Sequence, residues 1–126
     1  MNKIPKRIKH FKKHELACRC CGMMNISELF LDALENARMI AGIPFVITSG
    51  CRCKQHNKTV GGKMNSKHLC SDEIETSAID IRARNDYERG VIVRALFLAG
   101  IQQIGVNVDD NFIHCEIDTN WALWVY

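Results

Sequence analysis

Three residues of the 126-residue chain pair metal-binding side chains with positions that rigid elements could hold: His68, Asp80 and His114. His68 closes a long polar stretch. Asp80 stands inside the apolar run Ala78-Ile79-Asp80-Ile81, where a carboxylate is costly unless it has a partner. His114 lies in Phe112-Ile113-His114-Cys115-Glu116. Two imidazoles and a carboxylate on separate elements can grip zinc by three corners and leave the fourth to water. Any one histidine on a strand is more often a satisfied core residue, so the weight rests on the set.

Seven cysteines are the other reactive set: Cys18, Cys20 and Cys21, then Cys51 and Cys53, with Cys70 and Cys115 apart. An odd count argues against a secreted disulfide framework. Structural zinc held by C-x-C-C and C-x-C competes with small buried thiols that pair only under oxidation. The usual zinc knuckle places two residues between its paired cysteines, which neither C-x-C does, so buried or opportunistically bridged thiols are expected. A redox or nucleophilic enzyme built on Cys53 or Cys115 is a third reading without a nucleophile signature around either residue.

The elements that must carry these residues can be read from hydrophobic period. Residues 1–25 read as irregular. Leu29, Phe30, Ala33, Leu34, Ala37 and Ile40 recur at helical steps from Ile26 to Ala41, with Asn25 or Ser27 as N-cap and Gly42 and Pro44 as the stop. Phe45–Thr48 reads as a short buried strand. Residues 50–77 show no sustained period, and a stretch that long in a compact domain points to function. Ala78–Ile81 is a strand, Asp86 caps a second helix that ends at Gly100, and Ile101–Val108, Phe112–Ile117 and Ala122–Tyr126 are strands around an Asp109-Asp110-Asn111 turn. The expected fold is α+β: a small, mostly antiparallel sheet flanked by two main helices, with the metal site on the sheet face. One domain over 1–126 is expected, with residues 1–10 as a basic, flexible arm.

Composition narrows the function. With 47% hydrophobic and 25% charged residues, the chain has the make-up of an ordinary globular protein. The net charge of +3 gathers at Lys3, Lys6, Arg7, Lys9, Lys12 and Lys13. Without interleaved aromatics or a known module, that segment does not imply a nucleic-acid partner, although it could be drawn weakly to a polyanion such as a wall polymer. No apolar run is long enough for stable membrane insertion, and no signal-peptide core follows the basic start.

One set of motifs is more specific. Ser49-Gly50-Cys51-Arg52-Cys53, His56-Asn57-Lys58-Thr59-Val60-Gly61-Gly62, Asn65-Ser66-Lys67-His68-Leu69 and Ala78-Ile79-Asp80-Ile81 follow in that order, and Phe112–Glu116 comes after. This order resembles the core of the zinc D-Ala-D-Ala carboxypeptidase-like family of peptidoglycan peptidases, from about Phe11 to the C-terminal tryptophans. The resemblance implies one catalytic zinc held by His68, Asp80 and His114. It implies Arg52 as the cation that grips a substrate carboxylate or polarises the scissile carbonyl. Ser66 would orient the ligand loop or bind substrate backbone, and His56 and Asn57 would be structural. The implied partner is the peptidoglycan stem peptide. With no signal peptide, the expectation is a cytoplasmically made phage or prophage protein that acts on the wall.

Two departures from the family pattern bear on the site. His68 and Asp80 stand twelve apart where the family usually has seven, which implies an insertion around Ser71–Glu75 and makes Glu75 a rival ligand. Asp80 is preferred because a strand holds a ligand more rigidly. Asn111 occupies the family's usual acidic position, leaving Glu116 or, second, Asp110 as general base; the plainer role for Glu116 is to hold an imidazole. The alternative to a peptidase is a catalytically weak or inactive zinc-binding domain on the same scaffold.

Overall fold

The computed structural model describes residues 2–126. Ser27 starts the first long helix, its Oγ accepting the Phe30 N–H, and helix α2 runs Glu28–Ala41 to Gly42, whose left-handed backbone (φ 68°) closes it. One turn of helix precedes it inside the stretch expected to be irregular: α1, Lys13–Leu16. The other long helix, α4, spans Asp86–Leu98. Its cap is Asn85, not the expected Asp86: Asn85 Oδ1 takes the Glu88 N–H at 2.8 Å, while Asp86 turns outward to Arg89.

The strands are β1 (Ile47–Ser49), β2 (Ala78–Arg82), β3 (Gln103–Asn107), β4 (Phe112–Glu116) and β5 (Ala122–Val125). They form one sheet in the order β1-β2-β4-β3-β5, antiparallel except for the β3–β5 pair. The fold is the expected α+β arrangement. β1 begins later than the apolar run suggested, and residues 50–77 are not wholly irregular, because Lys54–Thr59 form a short helix, α3.

Strand alternation separates two faces. Ile79, Ile81, Ile104, Ile113 and Cys115 are fully buried in one core with Leu31 and Leu34 of α2 and Ile92 and Leu96 of α4. Each such aliphatic side chain stabilises by roughly 1.5–3 kcal/mol, so this face binds the sheet to its helices and leaves the other for polar groups. Part of the basic N-terminus is also docked. Arg7 pairs with Asp32 and Glu28, and Glu35, almost fully buried, accepts the Lys9 and His10 N–H groups and the His10 ring.

Candidate metal centre

One row of residues crosses all five strands on the polar face: Ser49, Asp80, His114, Gly105 and Trp124 are successive cross-strand partners. Asp80 and His114 are therefore direct neighbours, and His68 reaches them from the loop before β2. The His68 backbone is fixed from three sides: Ser66 Oγ accepts its N–H, while the Arg52 N–H and Thr76 hydroxyl donate to its carbonyl.

The three side chains converge on one point. His68 Nε2 lies 3.3 Å from His114 Nδ1 and 3.3 Å from Asp80 Oδ1, and His114 Nδ1 lies 3.0 Å from that oxygen. A tetrahedral zinc with bonds of about 2.0–2.1 Å has donor–donor edges of about 3.3 Å. The residues thus fit the ion in size as well as in type.

Hydrogen bonding on the outer side of each ring selects which nitrogen faces inward. The Gly50 carbonyl can only accept, so His68 Nδ1 donates to it at 2.8 Å and Nε2 turns its lone pair inward. Glu116 Oε1 accepts from His114 Nε2 at 2.8 Å, which leaves Nδ1 for the centre. Burial opposes the charge on Asp80, but the His114 and His68 imidazoles beside it outweigh that and hold its pKa at about 2. Burial likewise disfavours a charged His114, yet Asp80 and Glu116 outweigh it and raise its pKa to about 9. Both shifts report a site that attracts a cation.

Arg52 faces this centre. Its Nε donates to Ser49 Oγ at 3.0 Å and its Nη1 to Asn57 Oδ1 at 3.4 Å, while Nη2 sits 3.5 Å from Asp80 Oδ2. Asn57, expected to be structural, also ties down its loop by donating to the Lys63 carbonyl. Gly62 permits this docking, since an added Cβ would overlap the Asn57 amide. Arg52 lines a cavity of about 520 Å³ together with Ser66, Lys67, His68, Asp80, His114, Glu116 and Trp124.

Asp80 belongs to the donor group and Glu75 does not. The extra residues fold outward instead: Ser71 and Ile74 close a turn, and the Asn25 amide donates to the Ser71 carbonyl. Glu116 sits across the imidazole ring from the donors, with its second oxygen 3.1 Å from Lys67 Nζ. Burial raises its pKa, but His114 and Lys67 outweigh that and lower it. Asp110 lies in the β3–β4 turn, exchanging hydrogen bonds with Asn107, and is not among the residues lining the cavity.

Three participants had no signal in the sequence. Lys67 holds Glu116 and Asp118 together. Trp124 packs on His114 with ring centroids 5.8 Å apart. Gly105 makes room for that indole, which an added Cβ would overlap. Cross-strand register creates the last two roles, and local patterning does not encode register.

A mainly antiparallel sheet backed by helices, with a His-His-Asp tripod beneath an open cavity and a guanidinium beside it, defines an α+β protein of the zinc-metallohydrolase kind. The chain belongs to the peptidase M15 family, whose model matches residues 9–116 and so includes every donor, Arg52 and Glu116. It is accordingly a metallopeptidase of a zinc-dependent family. No curated protein matches the chain.

Proposed function

We propose that the chain hydrolyses peptide bonds of bacterial peptidoglycan, as a D,D-carboxypeptidase or an endolysin-like endopeptidase, with His68, Asp80 and His114 holding one catalytic zinc. The observation that carries this reading is the donor triangle at the floor of a cavity, with the outer nitrogen of each ring held by an oxygen acceptor. When bound, zinc supplies Lewis acidity toward a carbonyl and lowers the pKa of water to near neutral.

The chain's own residues do the rest. Arg52, held by Ser49 and Asn57, offers planar donors to a substrate carboxylate or to charge developing on the scissile carbonyl. Ser66 fixes the His68 loop through the His68 N–H. Glu116 is a positioning residue that acts through His114, and Lys67 keeps it in place. Trp124 shields one face of the His114 ring from water. The wall as substrate is supported by the motif resemblance and by the Arg52 guanidinium in the cavity lining, which suits a peptide carboxylate; a phage or prophage setting is supported by the motif resemblance.

One observation favours a second reading, a zinc-binding domain with little turnover. Asn111 takes the usual acidic position, and neither Glu116 nor Asp110 reaches the donor side of the triangle. Zinc-loaded protein incubated with purified sacculi decides between them. Release of D-alanine or shortened stem peptides, lost in His68→Ala, establishes the peptidase. Bound zinc without product on several wall chemotypes establishes the binding domain.

A further inference from the structure

A second cluster of ligating side chains lies behind the Arg52 loop, outside the cavity. The sulfurs of Cys18, Cys21 and Cys53 all lie within 4.8 Å of one another. Cys20, between the first two in sequence, is exposed and stands outside that triangle. We propose that Cys18, Cys21 and Cys53 bind a structural zinc ion, with the exposed Cys20 swinging in as fourth donor, and that the ion clamps the N-terminal segment onto the loop carrying Arg52.

Local backbone supports the assignment. Cys18 and Cys21 are separated by two residues, the knuckle spacing that the intervening Cys20 disguises. Their turn is closed by the Gly22 N–H on the Cys18 carbonyl at 2.8 Å, with Gly22 in the left-handed region (φ 77°) that glycine tolerates. The Cys53 N–H points at the Cys18 sulfur (3.3 Å) and the His56 N–H at the Cys53 sulfur (3.4 Å), as donors to thiolates do. Four thiolates around zinc at about 2.3 Å stand about 3.8 Å apart, so a small inward movement of the Cys18, Cys21 and Cys53 sulfurs and a turn of the Cys20 side chain complete the site.

The two sides are already stitched by backbone. The Cys51 N–H donates to the Leu16 carbonyl at 2.8 Å, and Gly50 passes so close to Leu16 that an added Cβ would overlap that carbonyl. Cys53 directly follows Arg52, and Gly50 holds the ring of His68. A metal joining Cys18 and Cys21 to Cys53 therefore anchors the segment that presents the guanidinium and orients one imidazole. Cys51, Cys70 and Cys115 are buried and stand outside this donor group.

The test counts metal independently of turnover. Full-length protein purified under reducing conditions should carry two zinc ions per chain. His68→Ala should keep one, and its cobalt-substituted form should show intense thiolate-to-metal charge transfer. Cys18→Ser and Cys53→Ser should each lose one ion and that absorption. Should either serine variant fail to fold, alkylation of the parent gives the answer: zinc should protect Cys18, Cys20, Cys21 and Cys53, and a chelator should expose them, as read by peptide mass spectrometry. A parent with a single ion that His68→Ala removes overturns the proposal. So does alkylation of these four thiols that zinc leaves unchanged, or a disulfide among them in the reduced preparation. A failed peptidase assay touches none of these readouts.

Discussion

Glu116→Gln removes one charge without changing shape, and the local geometry dictates the consequence. The Glu116 carboxylate serves two donors at once, His114 Nε2 at 2.8 Å and Lys67 Nζ at 3.1 Å. Glutamine has one accepting oxygen. If that oxygen stays on His114, the amide NH2 faces the Lys67 ammonium. If it turns to Lys67, the NH2 faces His114 Nε2 and favours the tautomer whose proton sits on Nδ1, the atom that must ligate. Either way the ligating form of His114 loses support. Loss of such an orienting carboxylate lowers metal affinity by about 10–100-fold, which is roughly 1.4–2.7 kcal/mol. Competition against a chromophoric chelator reads this directly, with parent and variant compared so that any thiolate-bound ion is common to both. With zinc saturating, a positioning role predicts that most of the turnover returns. A zinc affinity equal to that of the parent would refute the orienting role. A loss of about 10²–10⁴ in turnover that persists at saturating zinc would show a general base instead.

Arg52→Ala should retain zinc at His68, Asp80 and His114 and reduce turnover by about 10²–10³, the loss typical of an oxyanion donor; parent-like rates on wall peptides would remove Arg52 from the reaction. Gly105→Ala should cost about 1–3 kcal/mol in denaturant titrations, because the new Cβ overlaps the Trp124 indole; an unchanged midpoint would mean that the indole moves freely. Glu35→Ala removes the carboxylate that accepts the Lys9 and His10 N–H groups, and a hydrogen bond to a charged group is worth about 1.5–3 kcal/mol. Burial raises the Glu35 pKa, but the hydrogen bonds from His10 and the Lys9 N–H outweigh it and lower it below 4.5. Its contribution is therefore complete above about pH 4.5 and is lost as the pH falls through the folded value. Melting curves of parent and Glu35→Ala should converge in acid, and a constant gap down to pH 2 would contradict this linkage.

Long periodic elements were legible because their patterns are local. The α2 stripe, the Ala78–Ile81 run and the Phe112–Ile117 alternation depend on side-chain spacing alone, and each forms within two residues of where that spacing places it. Boundaries were less so. Asn85 and Asp86 are both able to cap, and only the observed hydrogen bond to Glu88 selects the first. The helix Lys54–Thr59 carries no buried stripe; Asn57 is its one buried residue, so hydrophobic period could not reveal it. The cysteines show the same limit: a C-x-x-C was present at Cys18 and Cys21, but the neighbouring Cys20 masked it until the fold brought Cys53 alongside.

From its residues alone the chain singled out His68, Asp80 and His114 as groups that could meet a metal, with Glu75 as a rival to Asp80, since a carboxylate in an apolar strand needs a partner. Their order and the surrounding motifs were likewise contained in the string. Tertiary structure alone decided that Asp80 and not Glu75 joins the histidines, since the inserted residues fold outward onto Asn25. It alone placed Gly105 and Trp124 in the same row as the ligands and set Glu116 behind His114. Those outcomes depend on register and on contacts between residues distant in sequence. They arise only when strands pair, because a shift of one residue would turn every side chain of the row to the opposite face.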